Sequence, residues 1–400
     1  MLARILLSLL AAPPTLKTTE APLSPLPKEI RPAEVIVSPD QKRFAWISRD
    51  EDSISVVVDG QKQKPCDWII QNTIAFTADS QHIVYAARKR KKALMVIDGN
   101  EGELADSITH FFLSSAGHHI AYAAIQNNRT YAILDNTPGP PYDFVQWQAL
   151  AADGASAYLA AKSNEQFAVI NGTESKPHDL ISDIRLSPDG RRFAYIASSK
   201  GQTRMIIDDQ EGPTFDTLTP AQFSANGKHV AYLATRGNDN LAIIDGQPKT
   251  HSGKLTGLIL SPDGQRHLFI SSRDGKDSLI VDDAPTVTHP SITLARFSAD
   301  NQHIAYIAHA ATGQSAFIDE KPIAHFDQIL SLHSSPTGHS FAFIAQRNNK
   351  SLILLDTHES GQYDQILGRH PPLFLEDGSL RFLALRDRTI LQVTTSVASP

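Results

Sequence analysis

The sequence predicts an all-β chain, a β-propeller of about ten four-stranded repeats of roughly 37 residues each. Three observations lead there. A turn of the form Ser-Pro-Asp-Gly, or a relic of it, recurs with its third residue at Asp40, Asp79, Ala116, Asp153, Asp189, Asn226, Asp263, Asp300, Thr337 and Asp377. A second turn follows nineteen residues after each of these, eighteen in one case, as at Asp59-Gly60, Asp98-Gly99 and Asp245-Gly246, and only the tenth copy lacks it. Between the turns the apolar residues alternate as in strands, and no helical period is present.

In chain order, residues 1–12 combine one positive charge, Arg4, with an apolar run from Ile5 to Ala12, the size of an export-signal core. They are read as a signal peptide, and residues 1–27 as that segment with a Pro-rich leader. This implies a periplasmic or secreted protein; a cytoplasmic chain with an apolar tail is the alternative. Residues 28–397 are then the propeller. Strand a of each repeat ends at the first turn, as Ile184 to Leu186 does before Ser187-Pro188-Asp189-Gly190, where proline fixes φ and glycine accepts a left-handed conformation. Strand b follows as Phe193-Ala194-Tyr195-Ile196-Ala197 and its echoes, alternating small and large apolar residues as interdigitating sheets require. Strand c is a β-branched run before the second turn, such as Ala242-Ile243-Ile244. Strand d carries an aromatic or polar residue and usually an aspartate, as in Tyr142-Asp143, His178-Asp179, Phe215-Asp216 and Phe326-Asp327. The tenth copy stops after its strand c, Ile390 to Val393, while Lys28 to Arg31 stands where a strand d would. An N-terminal strand is therefore expected to close one ring by pairing with the last copy, which removes exposed edges. Two rings of five, or a smaller ring with terminal copies outside it, are the other arrangements the repeat permits.

The Ser-Pro-Asp-Gly turn followed by apolar-Ala-Tyr, at Ser187-Pro188-Asp189-Gly190 with Ala194-Tyr195 and again in the turn Ser261-Pro262-Asp263-Gly264, resembles the WD40-like repeats of the TolB propeller family over roughly residues 28–397. The resemblance implies a blade and not an activity. Three features depart from it: the copies at Ala116 and Thr337 lack the turn aspartate, Cys66, Ser252 and His289 replace the strand d aromatic, and no separate N-terminal domain of the TolB type precedes the repeats.

Composition bounds the chemistry. With 41% hydrophobic and 20% charged residues the chain can bury a sizeable core. A net charge of -6 and a pI near 6.2 argue against a general nucleic-acid binder. The single cysteine, Cys66, excludes an internal disulfide framework and a Cys-cluster zinc site, and no apolar run reaches the ~18 residues of a membrane-spanning helix.

Four motifs bear on function. Gly338-His339-Ser340-Phe341-Ala342 imitates a nucleophile elbow, but it occupies a recurrent hairpin turn and not a strand-to-helix turn. His82, His119, His229 and His303 each lie three residues after an anchor, where Arg43, Arg192 and Arg266 stand in other copies; equivalent positions on separate blades do not chelate one metal. The b–c loops are rich in bases, densest at Arg88, Lys89, Arg90, Lys91 and Lys92, while the c–d turns are rich in aspartate, so one face is expected to be positive and the other negative. Strand a supplies a polar arc of Arg185, Gln222, Arg296 and His333 toward a central channel, with Trp147 and Asp183 two residues higher. No cofactor is implied. The expected function is a non-enzymatic scaffold that binds a protein or other macromolecule through its loop face, the partner being a protein or an anionic macromolecule; an enzyme acting on a small molecule or carbohydrate at the channel mouth is the alternative.

Overall fold

Each hairpin is built by side chains that its own turn supplies. In the computed structural model, which describes residues 15–50, 53–70, 73–114, 117–310, 312–368 and 372–397, the serine opening the first turn is buried and bonds twice. Ser187 Oγ donates to Asp189 Oδ1 (2.6 Å) and accepts from Arg192 N (2.9 Å), while Gly190 N donates to Ser187 O (2.9 Å). The pairs Ser38/Asp40, Thr77/Asp79, Ser224/Asn226 and Ser261/Asp263 repeat the first contact. Gly190 sits at φ 67°, and a Cβ there would stand 2.4 Å from the Cβ of Ala155 in the preceding copy. Glycine is required by both the angle and the close approach, and neighbouring blades therefore touch through their turns.

The second turn has its own device. Its first residue, aspartate or asparagine, holds φ between 47° and 51° in nine copies, a conformation these side chains tolerate best after glycine. The side chain then accepts from the first amide of strand b, as Asp59 does from Phe44 N (3.0 Å), Asp98 from Ile83 N (2.9 Å) and Asp245 from Val230 N (2.9 Å). One residue thus ties two hairpins of a blade together.

The described residues form ten antiparallel sheets, each with strands in the order a-b-c-d. The fifth is typical: Leu180–Leu186, Phe193–Ser199, Gln202–Ile207 and Gln210–Phe215. These are propeller blades, numbered 1 to 10 here along the chain. In blades 2, 6 and 10 strand a is broken in two, in blade 6 as Thr217–Leu218 and Gln222–Phe223 around Pro220. Thr219 Oγ1 there accepts from Leu233 N (2.9 Å), in place of a ladder bond lost at the break. A three-residue 3-10 turn, Pro32–Glu34, is the helical element among the described residues, and none of their helices is long and apolar enough to cross a membrane.

The chain divides into two compact units. Residues 26–288 with 367–371 hold blades 1 to 7, and residues 1–25, 289–366 and 372–400 hold blades 8 to 10. Within each, the core lies between adjacent sheets, where small and large residues interleave: Ala231, Leu233 and Ala242 of blade 6 pack on Leu255, Phe269 and Ile280 of blade 7.

The last blade takes its strand d from the N-terminus, as expected, but from a different segment. Lys17–Pro25 pairs antiparallel with Thr389–Ser396, Lys17 opposite Ser396 and Pro25 opposite Thr389. Lys28 to Arg31, the segment expected to close the blade, instead forms a turn in which Ile30 N donates to Pro27 O (3.1 Å). The strand tolerates Pro22 and Pro25 because it is an edge, with one side needing no ladder bonds. The apolar segment 1–12 lies outside the described residues, as does Ala116 of the third turn.

Candidate binding surface

The strand d aspartates are structural before they are anything else. Asp67, Asp106, Asp143, Asp179, Asp216, Asp327 and Asp364 each accept, through one carboxylate oxygen, a backbone N–H at the tip of the next blade's b–c hairpin, for example Arg90 N to Asp67 (2.7 Å) and Gly237 N to Asp216 (2.6 Å). The other oxygen of Asp106, Asp143 and Asp364 faces a base at the start of the preceding strand c: Lys92, Arg129 and Lys350. Neighbouring blades are latched at the b–c end by this bridge.

Part of the charge at each end of the blades is paired locally, which weakens the expected contrast between a positive and a negative face. A base near the end of strand b pairs with an acid twelve residues on: Lys89 with Glu101 (2.7 Å), Lys162 with Glu174 (2.6 Å), Arg347 with Glu359 (2.8 Å). At the opposite end, the His or Arg after the first turn pairs with the second-turn aspartate of its own blade: Arg43 with Asp59 (2.8 Å), His119 with Asp135 (2.6 Å), Arg192 with Asp208 (2.8 Å), His229 with Asp245 (2.7 Å), Arg266 with Asp282 (2.9 Å) and His303 with Asp319 (2.6 Å), as does His82 with Asp98. The histidines are thus distributed one per blade against an aspartate. In blade 4 the base is Ala155 and the acid becomes the neutral Asn171, which accepts from Ser156 N (2.8 Å). In blade 9 the base is Ser340 and Asp356 stays acidic, and burial pushes its carboxyl above the usual carboxylate range. Ser340, the apparent nucleophile, is therefore a member of this turn pair.

Against that background the tip of blade 2 stands out. Its strands Ile83–Lys89 and Lys92–Ile97 are joined by Arg90 and Lys91, at φ 50° and 67°. A two-residue turn with both angles positive suits Asn-Gly, and other tips comply, with Asn127-Asn128, Asn348-Asn349 and Asp274-Gly275. Long basic side chains in left-handed backbone cost about 1 kcal/mol each or more. Lys89 pairs with Glu101 and Lys92 with Asp106, but Arg88, Arg90 and Lys91 form no ion pair among the described residues, and all three are exposed. Directly across the ladder from Arg88 stands Trp68, 46% exposed. Sequence reasoning missed Trp68; the signal was its position just after the latch aspartate Asp67. Phe144 and Leu180 follow Asp143 and Asp179 in the same way and are also exposed, so this end of blades 2, 4 and 5 carries apolar side chains beside the bases.

The strand a candidates separate. Arg185 and Gln222 line one cavity of about 460 Å3 with Leu186, Pro220 and Leu258. Asp183 (φ 52°) and Gly257 (φ 64°) hold left-handed backbone at matching positions of blades 5 and 7, and the Asp183 carboxylate is 3.8 Å from Arg185. Arg296 and His333 belong to the other unit, where Arg296 is exposed and His333 is held down to about 4, by burial first and by the Arg296 charge second. Trp147 does not face a channel. It is 2% exposed, packed on Tyr158 (ring centroids 5.0 Å), with its Nε1 unpartnered, because the strand a bulge between Trp147 and Ala149 turns it into the core. Among the described residues no group of three or more His, Cys, Asp or Glu side chains is placed to hold a metal ion.

No protein-family model matches the chain, and no curated protein matches it. Among solved structures it is similar to a eukaryotic initiation factor, at 13% identity and TM-score 0.49, covering 83% of this chain and 100% of that one. It is also similar to TolB from Acinetobacter baumannii, at 15% identity and TM-score 0.31 over 73% of this chain and 80% of that one, and to the β-propeller domain of the Trilobed protease from Pyrococcus furiosus, at 11% identity and TM-score 0.34 over 80% and 95%. None of these likenesses passes an activity to this chain, whose described residues form ten propeller blades by their own sheets.

Proposed function

We propose that the protein is a non-enzymatic propeller scaffold that docks an acidic protein surface on the b–c end of blade 2. The observation that carries this is the turn Arg90-Lys91, two unpaired cations in left-handed backbone beside exposed Trp68. Among the described tips this one has a base at both left-handed positions, and Trp and Arg side by side are the residue types that dominate binding hot spots. An outlier that the fold does not need is an argument for a use. The exported location is part of the same proposal, and it is supported by Arg4 and the apolar run Ile5 to Ala12. Removal of that segment must stop short of Thr15, because Leu16 N donates to Glu359 O (2.7 Å) and the closing strand begins at Lys17.

The test uses poly-L-glutamate as the acidic polypeptide. Arg90→Asn/Lys91→Gly installs the favoured turn and removes both charges, so the variant should be more stable by about 1 kcal/mol while binding the probe several-fold more weakly at low salt. The difference should vanish near ~1 M salt, where exposed charges are screened. Equal affinity of the two proteins at low salt would remove this tip as the docking site.

A further inference from the structure

The seams between blades repeat as regularly as the turns, and one of them is unfilled. At four seams an aromatic side chain, immediately before the latch aspartate, lies under a base from the end of the next strand b. Lys162 stands over the Tyr142 ring (4.6 Å), Arg236 over Phe215 (4.6 Å), Arg347 over Phe326 (4.7 Å) and Arg386 over Tyr363 (4.8 Å). Where an acid follows, the base binds it too: Lys162 to Glu174 and Arg347 to Glu359. The ring, the cation and the anion form one plug.

Between blades 2 and 3 all three members are replaced. The aromatic position is Ala105, in the same cross-strand register, since Ala93 pairs with Ala105 as Ser351 pairs with Tyr363. The base position is Gln126 and the acid position is Pro138. A cavity of about 470 Å3 occupies the seam, and Ala105, Gln126 and Pro138 all line it. Its walls include Tyr122, Tyr131 and Ile133. Leu104 stands at its edge, 55% exposed. By contrast, the seam between blades 1 and 2, where Cys66 takes the aromatic position, keeps the Lys89–Glu101 pair and only a cleft of about 10 Å3.

We propose that this seam binds a small neutral aromatic molecule with a hydroxyl or similar polar group. The sister seams say what shape fits, because the space opened by Ala105 is the space their rings fill. The plug's own base and acid are absent and Glu103 is the one charged residue in the lining, which disfavours an anion, and the two tyrosine hydroxyls with the Gln126 amide offer a neutral occupant's polar group partners. The volume falls in the range of small-molecule sites, about 300–1,000 Å3. A partner's side chain is the less suitable occupant, because the outer edge is already covered by this chain, with Gly102 N donating to Met95 O (2.8 Å) and Ala105 N to Ala93 O (2.8 Å).

The test is calorimetric titration of the full chain with 4-methylphenol, with 4-methylcyclohexanol as its saturated counterpart. The phenol should bind with saturation and the saturated alcohol about tenfold more weakly. Ala105→Tyr, which restores the plug, should lower phenol affinity at least about tenfold and raise the melting temperature. Should that variant fail to fold, methyl NMR on the unaltered protein decides: the phenol should shift the methyls of Leu104, Ile108 and Ile133. No saturable heat with the unaltered protein, methyl shifts centred elsewhere, or undiminished binding by a folded Ala105→Tyr would each overturn the proposal.

Discussion

At the scale of single residues, the second-turn acid answers to the base beside it. Seven copies pair it with an Arg or His within 2.5–2.9 Å, blade 4 drops both charges together as Ala155 and Asn171, and blade 9 keeps Asp356 against Ser340 alone. Burial raises the Asp356 carboxyl, so the folded state holds its proton more tightly than the unfolded chain does. The sign follows: this group favours folding below the unfolded value near 3.8, and that contribution is lost as pH rises through the raised folded value. At neutral pH the native protein carries the penalty. Asp356→Asn, which copies Asn171, keeps an acceptor for Phe341 N and should gain about 0.5–1 kcal/mol at pH 7, with the gain shrinking toward pH 4 in thermal unfolding followed by circular dichroism. A loss of stability at pH 7 would mean that the carboxylate charge itself supports the turn.

At the scale of elements, the closing strand is the informative case, because it was half legible. The tenth copy ends after strand c, so a missing strand could be read from the period; its identity could not. Lys17–Pro25 contains two prolines and reads as a leader by composition, and only an edge position excuses them. A second signal was in the charges. Arg386 occupies the base position of blade 10, and the acid expected twelve residues later does not exist there; Glu20 supplies it, accepting from both Arg386 terminal nitrogens (2.6 and 2.9 Å) and from the Tyr363 hydroxyl (2.8 Å). The hydrogen bond from Arg386 is also the main reason the Glu20 carboxyl lies below its usual range. Glu20→Ala should therefore destabilise by about 1 kcal/mol, a bidentate pair being worth more than a typical exposed one. Deleting residues 15–25 should expose the Thr389–Ser396 edge and promote aggregation, visible by light scattering. A monodisperse deletion variant with an unchanged melting temperature would contradict the pairing. Trp147 was illegible for a related reason: a bulge between Trp147 and Ala149 breaks the alternation counted back from the turn, and nothing in the residues around Trp147 announces one.

At the scale of the whole molecule, the 37-residue period, the four strands and the turn chemistry were readable because they recur ten times and each copy corroborates the others. Both proposals rest on exceptions to that repetition, which a period cannot display: the blade 2 tip with a base at both turn positions, and the seam between blades 2 and 3 that lacks ring, base and acid. With Arg88, Arg90 and Lys91 outside any ion pair among the described residues, the account places the docking surface at Arg88 to Lys92 with Trp68. Hydrogen–deuterium exchange on the full chain, alone and saturated with poly-L-glutamate, tests that placement most directly. The account predicts slowed exchange confined to residues 66–70 and 87–93 and to the neighbouring b–c tips. Slowed exchange at the a–b and c–d turns instead, or no change anywhere at saturation, would contradict it.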